Sequence, residues 1–240
     1  MMWNSKAIVF DLDDTLYAES SYFIAVFSEF CSENKWPQNS FSFIKNNFSH
    51  IRKNQKDIFK YFLIQNIQYW QHKNESIQTR NFKFLHDKLF DLYMNIKVKL
   101  KPMQGVSDWF RFAFDNDLKI GVLTNGVIEA QYNKWGSLDV KGKDNVIFKA
   151  ARECEREKPS LESFVLMARS LELDFSEVTF IGDRFDNDLA YPLSQGSSGI
   201  LINQCVSEYG NEKNMIFSDN LNDALSVFKK YTLLNISGME

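Results

Sequence analysis

The sequence predicts an α/β fold, a parallel sheet with helices on both faces, interrupted after its first strand by an all-helical insertion. Three observations predict it. The run Ala7-Ile8-Val9-Phe10 breaks abruptly into Asp11-Leu12-Asp13-Asp14-Thr15, as a buried strand ending in a polar loop does. Residues 18–99 then carry apolar residues at helical spacing with no strand of comparable quality. Beyond Pro102 and Gly105, strand-like and helix-like segments alternate, the pattern of βα units on a parallel sheet.

Taken in order, Lys6 to Phe10 reads as the first strand. Phe23, Val26, Phe27 and Phe30 recur at i, i+3, i+4, i+7, and Phe82, Leu85, Leu89 and Leu92 do likewise. Ile58, Phe59, Phe62 and Leu63 mark a helix between them. The chain holds 22 Phe and is 15% aromatic, and this insertion carries much of that excess. The second half opens with a helix over Val106 to Asn116, a strand over Leu118 to Leu123 and a helix near Val127 to Trp135. A short strand at Val146 to Phe148 precedes a helix over Pro159 to Leu171 with proline in first position. Val178 to Ile181 is a further strand, Asp186 to Leu193 a short helix and Gly199 to Ile202 the last clear strand. A terminal helix carries Leu221, Ala224, Leu225 and Phe228, and the tail after Tyr231 is expected to be poorly ordered.

Composition narrows the class. The chain has 240 residues, 44% hydrophobic and 25% charged, ordinary values for a globular protein able to bury a full core. A net charge of -3 gives no reason to expect nucleic acid. Cys31, Cys154 and Cys205 are widely spaced, without metal-ligand spacing, and read as reduced structural thiols of a cytoplasmic protein. The N-terminus lacks a secretory pattern and no apolar stretch approaches the length of a membrane span, so no membrane partner is expected.

Four polar clusters follow strand ends or start helices: Asp11 to Thr15, Leu123-Thr124-Asn125-Gly126, Glu157-Lys158-Pro159-Ser160 and Gly182-Asp183-Arg184-Phe185-Asp186-Asn187-Asp188. All strand carboxyl ends of a parallel sheet share one edge, so clusters distant in sequence can converge. Carboxylates, a hydroxyl, backbone N–H groups near a glycine and one lysine suit a phosphoryl group with its divalent cation. Three acids within four residues repel one another unless a cation sits among them.

In that order, the clusters resemble the four motifs of the haloacid dehalogenase superfamily, whose members with a paired-aspartate first motif are mostly magnesium-dependent phosphatases. The resemblance covers residues 1–17 and about 100–203, and the helical insertion matches the superfamily's helical cap class. It implies a Rossmann-like core over 1–17 and 100–240 and a cap over 18–99, and the two crossings of the chain between them suggest hinges near Tyr17 to Glu19 and Lys101 to Gly105. Asp11 would be the nucleophile that forms an aspartyl-phosphate. Asp13 would protonate the leaving alcohol and then accept a proton from the hydrolytic water. Their spacing places both on one side while Leu12 points into the core. Thr124 and the N–H groups of Asn125 and Gly126 would hold phosphate oxygens, and Lys158 would neutralise the phosphoryl group and Asp11. Mg2+ would be bound by Asp11, the Asp13 carbonyl and Asp183, with Asp188 holding a metal water or orienting Lys158.

The implied substrate is a small soluble phosphomonoester, a sugar phosphate or nucleoside monophosphate, and the protein a monomer or homodimer. The alternatives are a phosphomutase or phosphotransferase of the same superfamily, a dehalogenase, and a non-hydrolytic domain regulated by phosphorylation. Other polar residues read as structural. Asp14 caps or turns the chain, Thr15 begins a helix, and Asp186 caps the next one. Arg184 is solvated and Phe185 packed. In the insertion His50, Arg52, Lys53 and His72 form a solvated face, and Tyr61, Phe62, Tyr69 and Trp70 form core. Two positions depart from the superfamily pattern. Ala150-Ala151-Arg152-Glu153 lacks a common serine or glycine, and Tyr191-Pro192-Leu193 replaces small residues.

Overall fold

The computed structural model describes residues 3–71, 79–203 and 214–233. The chain folds as two compact units, Met1–Ala18 with Lys101–Glu240, and Glu19–Leu100.

The first unit is built on a six-stranded parallel sheet. Its strands are β1 (Ala7–Phe10), β2 (Lys119–Thr124), β3 (Ile147–Ala150), β4 (Val178–Gly182), β5 (Ser198–Ile202) and β6 (Met215–Ser218), in the order β3-β2-β1-β4-β5-β6. β1 is central, with Ala7 opposite both Lys119 and Val178 in register. Its four residues are all buried, because both faces of the sheet are covered. Alternate side chains go to opposite faces. Ala7 and Val9 join Leu123, Phe164, Met167 and Phe180 on one face, beneath α7 (Leu161–Leu171). On the other, Phe10 meets Trp109 and Phe110 of α5 (Val106–Asp115) at ring-centroid distances of 5.8 and 5.9 Å. Trp109 in turn packs 5.1 Å from Phe228 of α9 (Leu221–Leu233) and donates its indole N–H to the Leu221 carbonyl at 2.8 Å. α6 (Ile128–Ser137) follows β2, and a short α8 (Ala190–Ser194) follows β4. Where the chain returns at Lys101, the Met103 N–H donates to the Leu16 carbonyl at 2.8 Å, fastening the incoming strand of chain to the outgoing one.

The second unit contains α1 (Glu19–Glu33), α2 (Ser42–Asn54), α3 (Ile58–Gln71) and α4 (Thr79–Asn95). Its core is a ring cluster. Phe27 lies 4.6 Å from Phe62 and 6.0 Å from Phe59, Phe23 lies 5.3 Å from Tyr93, and Phe30 lies 5.3 Å from Trp36. This accounts for the aromatic excess, since a small unit fills its interior with few, large side chains.

Several local expectations are corrected. Thr15 does not begin a helix. Asp14 has φ of 57°, which an α-helix does not admit, and the chain closes a turn with Asp14 N–H on Tyr17 O at 2.9 Å. The helix starts only at Glu19. Pro159 is not the first residue of α7. The Ser160 N–H bonds the Glu157 carbonyl at 2.9 Å and closes a turn first, and Ser160 is the extended residue before the helix. Asp186 caps no helix; it is exposed within a single wide turn, Phe185–Leu189, of π type, and α8 begins after it. β6 was not anticipated, because its apolar run, Met215 to Phe217, is only three residues long and half-buried. Arg52 is not simply solvated. Its Nε and Nη2 reach the buried Glu19 carboxylate at 3.1 and 3.0 Å, and its guanidinium lies over the Phe23 ring. His50 and Lys53 are exposed and Phe62 is fully buried, whereas His72, Cys205 and the side chains of Tyr69 and Trp70 fall outside the described residues.

Candidate active site

In the strand order, β1 and β4 are the neighbours where the winding reverses, and ligands of open α/β sheets bind at the carboxyl ends of such a pair. Asp11 directly follows β1 and Asp183 directly follows β4, and the Asp11 N–H still bonds the Ile181 carbonyl at 2.9 Å. Thr124 ends β2 on the other side of β1. The sheet alone therefore gathers three of the four sequence clusters at one edge.

The fourth arrives through Lys158. Its ammonium is buried and donates to Asp11 Oδ1 at 2.6 Å and to Asp188 Oδ1 at 2.7 Å. Burial opposes its charge, but the two carboxylates outweigh that and hold it above the ordinary lysine range. Burial, reinforced by Asp188 and Asp183, pushes the Asp11 carboxyl well above its ordinary value, against the pull of Lys158. The backbone of Lys158 is held separately. The Asn125 side chain accepts its N–H at 2.7 Å and donates to its carbonyl at 2.9 Å. Asp188 is placed by the wide turn, with Oδ2 accepting the Arg184 N–H at 3.1 Å. Only glycine fits at residue 182, where a Cβ would stand 2.5 Å from both Cβ and Oδ2 of Asp188.

A second cluster surrounds Asp13. Lys134 of α6, fully buried, donates to Asp13 Oδ1 at 3.0 Å and Oδ2 at 2.8 Å, and the Tyr17 hydroxyl also bonds Oδ1. One turn earlier on α6, Gln131 Oε1 accepts the Thr124 hydroxyl at 3.1 Å. The Gln131 amide also lies where a side chain at Gly126 would go, and Gly126 has φ of 126°. From the same helix Tyr132 donates to Glu153 at 2.9 Å, while Glu153 also accepts the Ala150 N–H at 2.9 Å. Glu153 thus closes the loop where the sequence departs from the superfamily pattern.

Sequence reasoning missed Lys134, Gln131 and Tyr17. The first two did leave a signal. Ala130, Gln131, Lys134 and Trp135 are the buried face of α6, and two polar residues on the apolar side of a helix ask for partners.

The acidic residues fit a hard divalent cation. Asp11, Asp183 and Asp188 offer carboxylate oxygens within 4.8 Å of one another. Burial, then the charges of Asp188 and Asp14, push the Asp183 carboxyl up to about 7, the mark of a cluster short of positive charge. The Asp13 carboxylate lies with Lys134 instead, which leaves its backbone carbonyl as the group that could face a metal. Arg184 is exposed and Phe185 is packed against the core. No helix among the described residues is long and apolar enough to cross a membrane.

A doubly wound parallel sheet with a lysine-bridged set of aspartates at the β1–β4 edge defines a hydrolase of the aspartate-centred α/β type. The family comparison gives the same class: residues 8–191 match the model of haloacid dehalogenase-like hydrolases, and the chain belongs to that family. No curated protein matches it by sequence. Among solved structures, it is similar to a 2-haloacid dehalogenase of Pseudomonas syringae pv. Tomato. That likeness has 17% identity and a TM-score of 0.59 over 95% of this chain and 100% of that one. It is similar to a beta-phosphoglucomutase of Clostridium difficile at 16% identity and a TM-score of 0.54, over 95% and 97%. A HAD phosphatase of Thermococcus onnurineus matches at 16% identity and a TM-score of 0.55, over 93% and 97%. At such identities the likeness establishes the fold and does not choose among three chemistries.

Proposed function

We propose that this chain is a magnesium-dependent phosphatase that hydrolyses a small phosphomonoester, a sugar phosphate or nucleoside monophosphate, through an aspartyl-phosphate on Asp11. The observation that carries this reading is the buried Lys158 ammonium between Asp11 and Asp188 with Asp183 adjoining. One ammonium among three carboxylates leaves the edge of the sheet short of positive charge, which suits a site that takes up a cation together with its phosphate ester.

Asp11 attacks phosphorus through Oδ2, since Lys158 holds Oδ1. The bond from phosphorus to the ester oxygen breaks, and Asp13 gives that oxygen its proton. Water then attacks the phosphoryl group, Asp13 takes the water's proton, and phosphate leaves Asp11. Lys158, the Thr124 hydroxyl and the N–H groups of Asn125 and Gly126 bind the phosphoryl oxygens. Asp11, Asp183 and the Asp13 carbonyl would hold magnesium, with Asp188 beside them. When bound, the ion supplies charge neutralisation to the carboxylates and phosphoryl oxygens.

A haloacid would also be attacked by an aspartate, but a halide leaves without a proton and without a metal. Asp13 and Asp183 have work in phosphoryl transfer, to water or to a second hydroxyl, and none in dehalogenation. We assign the helical unit, residues 19–100, the role of cap, and the free thiols of Cys31 and Cys154 accord with a cytoplasmic setting.

The test is phosphate release from an aryl phosphate, with and without magnesium, by the wild type and Asp11→Asn, beside chloride release from 2-chloropropionate. Magnesium-dependent phosphate release that Asp11→Asn abolishes supports the reading. Chloride release without phosphate release overturns it in favour of dehalogenation.

A further inference from the structure

We propose that Lys134 is a positioning residue for Asp13, and that the α6 face carrying Gln131 and Lys134 sets where the leaving-group side of the site stands relative to the phosphoryl side. The proposal rests on the phosphatase reading, in which Asp13 exchanges a proton with the leaving oxygen and then with water.

Asp13 lies on a turn, not in the sheet, so the backbone alone does not fix its carboxylate. Three donor contacts do. Lys134 reaches Oδ1 at 3.0 Å and Oδ2 at 2.8 Å, and the Tyr17 hydroxyl takes Oδ1. A donor on each oxygen with a second on one defines the plane of the carboxylate as well as its position. Lys134 has no exposed surface, and a fully buried ammonium costs heavily in desolvation. For stability alone an apolar residue would serve this helix position better. What the lysine adds is orientation of a group that must meet a reacting oxygen within hydrogen-bond reach.

Gln131 lies one turn away on the same buried face and holds the Thr124 hydroxyl at 3.1 Å. Thr124 is assigned to the phosphoryl oxygens and Asp13 to the ester oxygen. One rigid helix therefore spans the two ends of the bond that breaks. In the first step Asp13 protonates the departing alkoxide; in the second it removes a proton from water. A displaced Asp13 harms the first step most when the leaving group is a poor one, because a phenolate departs without a proton. It harms the second step whatever the substrate.

The experiment compares the full-length wild type, Lys134→Met, Lys134→Arg and Tyr17→Phe with magnesium, on 4-nitrophenyl phosphate and on glycerol 2-phosphate. Thermal unfolding is recorded for each. For Lys134→Met we expect kcat/KM, which reports the first step, to fall by about 10²-fold or more on the alkyl phosphate and by less on the aryl phosphate, while kcat falls on both. Rapid-quench samples with the aryl phosphate should show the Asp11 phosphoryl adduct accumulating, because its hydrolysis lacks an aligned base. Lys134→Arg should recover part of the alkyl-phosphate rate. Equal losses of kcat/KM on both substrates, or none, in a folded Lys134→Met protein would overturn the proposal. If Lys134→Met does not fold, Tyr17→Phe decides, with the same leaving-group bias supporting the proposal and its absence overturning it. A wild type that releases phosphate from neither substrate overturns the phosphatase reading and this proposal with it, whereas an active wild type with an unbiased variant overturns this proposal alone.

Discussion

Asn125 grips Lys158 by its backbone: Oδ1 accepts the lysine N–H at 2.7 Å and Nδ2 donates to the lysine carbonyl at 2.9 Å. The two residues are 33 apart in sequence, and the amide reads as a splint between the loop after β2 and the loop before α7. Asn125→Ala removes the splint while leaving the backbone N–H assigned to the phosphoryl oxygens. We expect kcat to fall by about 10²-fold through misplacement of the Lys158 ammonium, with thermal unfolding showing a folded protein. Steady-state kinetics on an aryl phosphate check this, and an unchanged kcat would reject the splint.

Asp183 ties stability to pH. Its carboxyl keeps a proton up to about 7 in the folded protein, against an ordinary value of 3.8 in the unfolded chain. The folded state binds more protons across that window, so the metal-free protein loses stability as pH rises from about 4 through about 7. Asp183→Asn should flatten this slope and stabilise the metal-free protein at pH 8. Magnesium should raise the wild-type unfolding temperature at pH 8 by mass action, and should do so far less in the variant. Melting curves at pH 5 and pH 8, with and without magnesium, test both statements.

Gly182 is a packing prediction. A methyl group there would stand 2.5 Å from Asp188 Cβ, an atom that no rotamer change can move aside. Gly182→Ala should destabilise the protein by about 1–3 kcal/mol and should also lower activity, since Asp188 can no longer meet Lys158. Urea unfolding and kcat measured together distinguish this from simple loss of fold.

Phe27 anchors the helical unit between Phe59 and Phe62. Phe27→Ala opens a cavity where no polar group compensates, at a cost of about 3–5 kcal/mol. The expected readout is early loss of protection in hydrogen exchange across α1 and α3, with β1, β2 and β4 unaffected. Uniform loss across both units would contradict it.

The sheet and its site edge were legible because β1, β2 and β4 are apolar runs that stop abruptly at charged or hydroxyl residues. Asp11 and Asp183 stood out at those breaks, and Lys158 by its place just before Pro159. Residues that act on other residues did not. Lys134 lies in mid-helix, Gln131 resembles any surface glutamine, and the motif position of Asn125 speaks for its backbone N–H but not for its side-chain amide. Their partners are 121, 7 and 33 residues off, and only the tertiary fold pairs them. The turn at Asp14 was among the readings its sequence allowed, whereas the helix start was placed too early at Thr15, because a left-handed residue before a helix leaves the same short polar signature as a cap. β6 was lost because three apolar residues in a row, Met215 to Phe217, are too short a run to signal a strand.

The hydrogen bond from Met103 to Leu16 gives the molecule a neck. Everything between those two residues leaves and re-enters the α/β unit through a pair of adjacent chain segments that are already fastened to each other. The sheet therefore does not depend on the length or content of what is spliced in there. The helical unit is a cassette: lineages or engineers can exchange it, lengthen it or reduce it to a short linker with the ends held fixed. The acids and the lysine lie on segments of the α/β unit alone, so their register is set outside whatever is spliced in.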